Sequence, residues 1–423
     1  MHDVDHYGLT VLFVSVALFA AVVSTRLSSA IRIPAPAIFL AVAAVAASLV
    51  PQLGSLPVVT DQRIVTIALI IILFDGGTSM GLRRFSTAAT AIVWVGVAGT
   101  VVTAGALAVC AHLILGFDWT AALLLGTALA PTDPAVVFSV LGGQEIAGRS
   151  GTLLEGESGF NDPVGIALMA SLLGASGGGL HALGAGLGTF ALQMVVGAAV
   201  GVAGGYLLRE VAVRLPLGHP ALHPLRVIAF AGAIYGAGTV LHGSGFLAVF
   251  LAGIVVGDVE TPEAPHVERF TGALSSLAEI VAFTVLGLTV DLSHVATAAE
   301  WVPGVVLAVL MMLVVRPLLV GVVLVPVRLT RRERVFVLWS GLKGAVPILL
   351  GTFLLLEGVP QARRLYDIIF VVVLISVVVQ GGTVPLAARK LRIPMRSDAA
   401  REKAGARVAT PHPGPGDSAR SGS

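Results

Sequence analysis

The sequence predicts an all-α polytopic membrane protein of about thirteen transmembrane helices, two of them broken partway across, and three observations lead there. Its 423 residues are 56% hydrophobic and only 12% charged, with a mean hydropathy of +0.95. A soluble core of that length would need a far larger charged surface. Apolar runs of crossing length recur along nearly the whole chain, and prolines beside charged residues interrupt two of them. The formal net charge of +2 carries little information, because the basic residues are unevenly spread. They are nearly all arginine, and no nucleic-acid-binding face is indicated. Cys110 is the only cysteine, so neither a disulfide nor a cysteine-based metal site is expected.

The runs fall at about 8–25, 35–50, 62–80, 88–115, 118–141, 152–174, 183–208, 222–241, 243–257, 270–290, 301–327, 333–356 and 365–388. Asp3 and Asp5 precede the first run and no basic residue does, which argues against a cleaved signal peptide. An odd number of spans puts the termini on opposite sides. With the N-terminus outside, 21 of the 26 basic residues fall in inner loops or the tail, and only Arg63, Arg363 and Arg364 fall outside. That asymmetry predicts a cytoplasmic C-terminus. Residues 1–396 are thus expected to form one transmembrane domain. Residues 397–423, rich in Pro, Gly and Ser, are expected to be a disordered cytoplasmic tail. Ala175 to Gly179 reads as a short flexible outer loop, and Asp258 to Glu268 as a solvated inner one.

The fifth run contains Ala130-Pro131-Thr132-Asp133-Pro134, whose prolines free the carbonyls of Thr127 and Ala130. The twelfth contains Gly341-Leu342-Lys343-Gly344-Ala345-Val346-Pro347, whose proline frees the carbonyl of Lys343. Seven spans apart, the two cross the membrane in opposite directions. Broken helices at matching places in oppositely oriented halves point to a transporter's central site, with spans one to six and eight to thirteen as inverted repeats.

The sixth run holds Glu157-Ser158-Gly159-Phe160-Asn161-Asp162-Pro163. On a helix Ser158 and Asp162 share a face, with Glu157 and Asn161 as a neighbouring pair. Pro163 frees the Gly159 carbonyl, which leaves a polar pocket beside an acid, suited to a small cation or a proton. The intramembrane charges are Asp75, Asp133, Glu157, Asp162, Glu279, Arg316 and Lys343, an acidic excess that attracts cations. Glu279 with Arg316, and Glu157 with Lys343, are expected to neutralise each other. Asp75 reads equally as a helix-packing group or a functional one. Asp133 is expected to cap the second half-helix, and can do so while facing an ion. Asp162 has no basic neighbour in sequence and is the expected site of direct cation or proton binding. A carboxyl in a low-dielectric cavity holds its proton more tightly than one in water. A partly dehydrated cation at the same oxygens would displace that proton, so competition for one site yields exchange.

Those three motifs, with Phe74-Asp75-Gly76-Gly77, Gly243-Ser244-Gly245-Phe246-Leu247-Ala248 and Val315-Arg316-Pro317, resemble the signatures of the monovalent cation:proton antiporters, in the electroneutral branch with the Asn-Asp pair. The resemblance covers about residues 60 to 390. It implies a transporter rather than an enzyme, of NhaA-like fold, in a plasma membrane. It further implies a homodimer, with core helices at about 62–174 and 270–388 and the remaining helices at the dimer contact. Asp162 would bind either Na+ or K+ (or Li+) or H+, and no cofactor is expected. Ser158, the Thr132 carbonyl, Glu157 and, through water, Asp133 would complete the coordination. Asn161 stands where the electrogenic branch has a second Asp, which implies one-for-one exchange. Lys343, where this branch usually has Arg, would neutralise the crossed helices and hold Glu157. In several motifs the nearest subgroup is the potassium/proton antiporters linked to cell-volume control, but Glu279 stands where those tend to have Gln and Thr132-Asp133-Pro134 is closer to the sodium-exchanging subgroup, so the cation stays open.

Two other classes fit parts of the sequence. A cation channel could use the same intramembrane residues. Gly156-Glu157-Ser158-Gly159 also fits the Gly-x-Ser-Gly of a rhomboid-like intramembrane serine protease, with His242 as its base. That reading leaves Asp162 and the broken helices without a role.

Overall fold

Proline and glycine punctuate this chain, and helix fills nearly everything between them. The computed structural model describes residues 34–54, 57–141, 144–174, 180–215, 217–292 and 298–397, together with Phe19. Helix α1 (Ala35–Leu49) starts behind Pro34, and α2 (Val58–Trp94) behind Pro57, where proline's fixed φ suits a helix start. Within α2, Gly81 leaves helical geometry at φ 64°, ψ 162°. The Asp258 carboxylate occupies the space a Cβ would need there, and accepts the Arg83 N–H at 2.6 Å. Only glycine tolerates both constraints. The runs expected at 62–80 and 88–115 are thus two helical passes hinged at one residue. The second continues through a π-helical turn (Val95–Gly99) into α3 (Thr100–Leu115).

Asp118 caps α4 (Trp119–Ala128), and Asp133 caps α5 (Pro134–Val140) after a break of five residues. Helices α6 (Arg149–Gly174) and α7 (Leu180–Arg214) follow. Then come α8 (Leu222–Val240), α9 (Gly245–Val256, capped by Ser244) and α10 (Ala264–Leu288). Helix α11 (Ala298–Leu310) runs on through a π-helical stretch containing Pro317. A Thr330–Glu333 capping box opens α12 (Arg331–Trp339), and a second five-residue break leads to α13 (Ala345–Leu356). The described chain ends with α14 (Ala362–Ile375) and α15 (Gly382–Leu391). Helix therefore lies over every expected run from 35–50 to 365–388. The first run, apart from Phe19, lies outside the described residues, as do the expected outer loop at 175–179 and the tail beyond 397.

Among the described residues, five helical stretches are long and apolar enough to cross a membrane: Val58–Leu115, Gly184–Arg214, Ala264–Leu288, Ala299–Val323 and Ala362–Leu391. Between them, close packing replaces the hydrophobic effect as the cohesive force. Helix α9 lies against α2 and α7, α10 against α1 and α2, and α14 against α11 and α13. The α2–α9 crossing is tight because glycines face each other. A Cβ on Gly253 would come within 2.5 Å of the Phe74 carbonyl, and one on Gly77 would meet the α9 backbone. Residues Leu365 to Val373 of α14 are all buried.

One element was not expected from the sequence. Strands β1 (Gln144–Ile146) and β2 (Met395–Ser397) pair antiparallel, with Ile146 opposite Met395. The Ala147 N–H extends the pairing to the Pro394 carbonyl at 2.9 Å. This ribbon joins the connection between α5 and α6 to the segment that follows α15.

Candidate functional site

The two broken stretches touch. The Asp133 N–H donates to the Leu342 carbonyl at 2.8 Å, so four helix ends meet at one place: the C-termini of α4 and α12 and the N-termini of α5 and α13. Helix C-termini carry partial negative charge and N-termini partial positive charge, and in an apolar interior each must be compensated. Asp133 serves the N-terminal ends. Its Oδ1 accepts the Ala135 N–H at 2.8 Å, and its carboxylate lies so close to Gly344, the N-cap of α13, that no Cβ would fit.

Lys343 serves the C-terminus of α4. Its Nζ donates to the carbonyls of Ala130 and Pro131, both at 3.0 Å, and the side chain is fully buried. Arg316 serves the C-terminus of α12. Its Nε donates to the Leu338 carbonyl at 3.0 Å and its Nη2 to the Val337 carbonyl at 3.4 Å. The same Nη2 bonds Glu157 Oε1 at 2.9 Å, both side chains being 5% exposed. Both expected charge pairings are thereby overturned: Glu157 pairs with Arg316, not with Lys343, and Arg316 is not the partner of Glu279. The reason is local. Arg316 sits beside Pro317 in the opened π-helical turn and reaches the α12 terminus past Gly341, where a Cβ would strike the guanidinium. Lys343 is already committed to the two carbonyls.

Helix α6 runs past this crossing and brings its polar face to it; Glu157, Ser158, Asn161 and Asp162 are all buried. Asn161 Nδ2 donates to Thr132 Oγ1 at 2.7 Å, tying α6 to the first broken stretch. The other amide atom, Asn161 Oδ1, is buried without a hydrogen-bond partner. Asp162 is 8% exposed and, among the described residues, has no salt-bridge partner. Asp133 and Lys343 are the charged groups beside it. Thr132, Ser158, Asn161, Asp162 and Asp133 are thus gathered on neighbouring segments, rich in oxygen and short of fixed positive partners.

The secondary candidates separate. Glu279, on α10, has its Oε1 sealed from solvent without a hydrogen-bond partner, and the charge that reaches it is Asp133. Asp75, on α2, lies beside Thr271 and Ser275 in the first half of α10. His242 is exposed at the α8–α9 turn, Ser158 is buried on α6, and among the described residues no hydrogen bond joins them. Two polar residues with structural work at the crossing were not singled out from sequence. The Ser376 hydroxyl accepts the Lys343 N–H at 3.1 Å, and Gln380 donates to the Trp339 carbonyl at 3.1 Å while accepting from Ser376 at 2.7 Å. Their signal was an i, i+4 polar pair inside an otherwise apolar run.

Comparison with known proteins identifies the family and the fold. Residues 14–390 match the family described as "Sodium/hydrogen exchanger, transmembrane". The K(+)/H(+) antiporter NhaP of Alkalimonas amylolytica is 36% identical over 397 residues, covering 92% of this chain and 68% of that protein. The Na(+)/H(+) antiporter NhaH of Halobacillus dabanensis is 26% identical over 409 residues, covering 91% and 99% respectively. Among solved structures, the sodium proton antiporter MjNhaP1 from Methanocaldococcus jannaschii at pH 8 matches with a TM-score of 0.77 at 21% identity, covering 91% of this chain and 99% of that one, which shows a shared fold. With an extended match to the family, a relative above 30% identity and an all-helical fold with helices apolar enough to cross a membrane, the chain belongs to the sodium/hydrogen exchanger family of integral, multi-pass membrane proteins.

Proposed function

We propose that this protein exchanges a monovalent cation for a proton by letting the two compete for the carboxylate of Asp162. The observation that carries the reading is the contrast in ion pairing at the crossing: Glu157 is matched by Arg316, whereas Asp162 has no direct partner among the described residues. A buried carboxylate left without a fixed counter-ion is costly when ionised. It is relieved by either a proton or a cation, and not by both together. Thr132, Ser158 and the free Asn161 Oδ1 supply neutral oxygens for a partly dehydrated Na+ or K+, with Asp133 beside them. Arg316 occupies Glu157 Oε1, which gives Glu157 a structural role, while its Oε2 is buried without a hydrogen-bond partner and is the one oxygen it can turn toward the ion.

Asn161 contributes no charge where a second acid would allow a second proton, which supports one-for-one, electroneutral exchange. Lysine suits position 343: two carbonyls converge on a single ammonium with three donors, and no planar fork is needed. Relatives are named for potassium and for sodium exchange, so both ions, and Li+, are substrates to test. The proposed setting is a plasma membrane, with about thirteen spans in inverted repeats, the N-terminus outside and the C-terminus cytoplasmic. The protein is proposed to be a homodimer, its contact made by helices outside 62–174 and 270–388. Helix α7 supports this with large apolar side chains turned outward, among them Leu192, Val195 and Tyr206.

The test uses everted vesicles acidified inside by respiration and followed with a pH-sensitive dye, adding Na+, K+ and Li+ separately. Dequenching by at least one cation in wild type, and by none in Asp162→Asn vesicles with the same amount of folded protein, is the expected result. Exchange that survives Asp162→Asn would overturn the assignment, and conductance without proton movement would put a channel in its place.

A further inference from the structure

A groove of about 500 Å³ opens at the end of the bundle where α2 restarts after Gly81, α6 begins and the chain enters α12. Thr87, Thr90 and Trp94 line it from α2, Arg149 and Leu153 from α6, and Arg328 from the connection before α12. Nothing in the exchange mechanism uses these residues.

Its chemistry is divided. The floor is apolar, built of alanine, leucine and valine side chains, while the rim carries hydroxyls and two guanidiniums. Nearby arginines on α2 have acidic partners: Arg84 bonds Glu155 at 2.9 Å and Arg83 faces Glu260 at 3.5 Å. Arg149 and Arg328 are exposed and, among the described residues, pair with no acid. Trp94 stands at the mouth, its indole N–H donating to the Val323 carbonyl at 2.9 Å, as aromatic side chains do at a membrane–water boundary. Unmatched positive charge above an apolar cleft between membrane helices is complementary to one class of molecule, a lipid with an anionic headgroup. A free phosphate would use the rim and leave the floor wet.

We propose that this groove binds an anionic phospholipid, with Arg149 and Arg328 on the phosphate oxygens and the floor covered by the start of an acyl chain. Its occupant would bridge α2, α6 and the connection into α12, and so tie the helix that bears Asp162 to one of the broken helices.

The test is binding to the purified protein in detergent, read by native mass spectrometry and by the shift in melting temperature. The probes are phosphatidylglycerol, phosphatidylcholine and inorganic phosphate. Phosphatidylglycerol should bind and raise the melting temperature while the other two do not. The Arg149→Gln/Arg328→Gln protein should bind it about twenty-five-fold more weakly, from roughly five-fold per arginine. The same pair of substitutions at Arg331 and Arg332 should leave binding unchanged. Should the Arg149/Arg328 variant not fold, Ala91→Trp fills the groove without altering charge and should abolish binding. Equal binding by wild type and variant, or equal stabilisation by phosphatidylcholine, would overturn the proposal. Stabilisation by phosphate alone would overturn it in favour of a free-anion site.

Discussion

Glu157 and Asp162 stand five residues apart on one helix, both buried, and their surroundings make them opposites. Glu157 faces a guanidinium that also closes the end of α12. Asp162 faces a region whose cation, Lys343, is already spent on two backbone carbonyls, and whose other charge, Asp133, has its own sign. Burial alone therefore does not make an acid functional. What separates the two is whether the architecture has supplied a permanent counter-charge. On the proposed assignment, the paired acid holds helices together and the unpaired one takes its partner from solution.

This contrast can be broken in four places. Asp162→Asn is expected to abolish exchange outright while leaving the melting temperature near that of wild type, because no ion pair is lost. Arg316→Gln is expected to do the reverse. It strands Glu157 and two carbonyls, and removing one member of a buried pair costs about 3–5 kcal/mol. The melting temperature should fall sharply, and the Glu157→Gln/Arg316→Gln double variant should recover part of the loss. If Arg316→Gln instead spares stability and removes only transport, Glu157 belongs to the ion site after all. Lys343→Met is expected to lie between these. Its lost bonds to Ala130 and Pro131 are partly offset by the charge no longer buried, for a net cost of about 2 kcal/mol. Exchange should fall with it, since the positive field near Asp162 disappears. Asn161→Ala should have the smallest effect. It removes one hydrogen bond to Thr132 and one neutral oxygen, worth about 1 kcal/mol, or roughly a five-fold rise in the apparent KM for the cation, with stability little changed.

Much of this was legible in the chain. Apolar runs and prolines located the helices and both breaks, because in lipid a proline in a span forces backbone groups to find other partners. Asp133 as a cap was legible for the same reason. The pairing of the charges was not. Neighbourhood in sequence gives no distance between Glu157 and Arg316, which are far apart along the chain and meet only because an opened helical turn beside Pro317 aims the arginine across the bundle. Lys343 was placed at the crossing, yet its partners are carbonyls, which every residue carries and no motif marks. Ser376 and Gln380 escaped because serine and glutamine in an apolar run look like ordinary tolerated polarity. The β1–β2 ribbon escaped because three-residue strands have no period to read.

The meeting of four helix ends has a consequence for how the protein responds to its surroundings. Charges on a protein surface are screened by dissolved ions within about 10 Å at moderate ionic strength, whereas buried ones are screened much less. Arg316 and Lys343 are sealed from water, and Asp133 is fixed against two helix termini beside them. At the proposed site, the potential offered to a cation is therefore built from backbone dipoles and side chains that bulk electrolyte does not reach. Rising salt would change how many ions compete for the site and leave the well they fall into almost unaltered, so a protein of this design works with the same internal voltage in dilute and in concentrated surroundings.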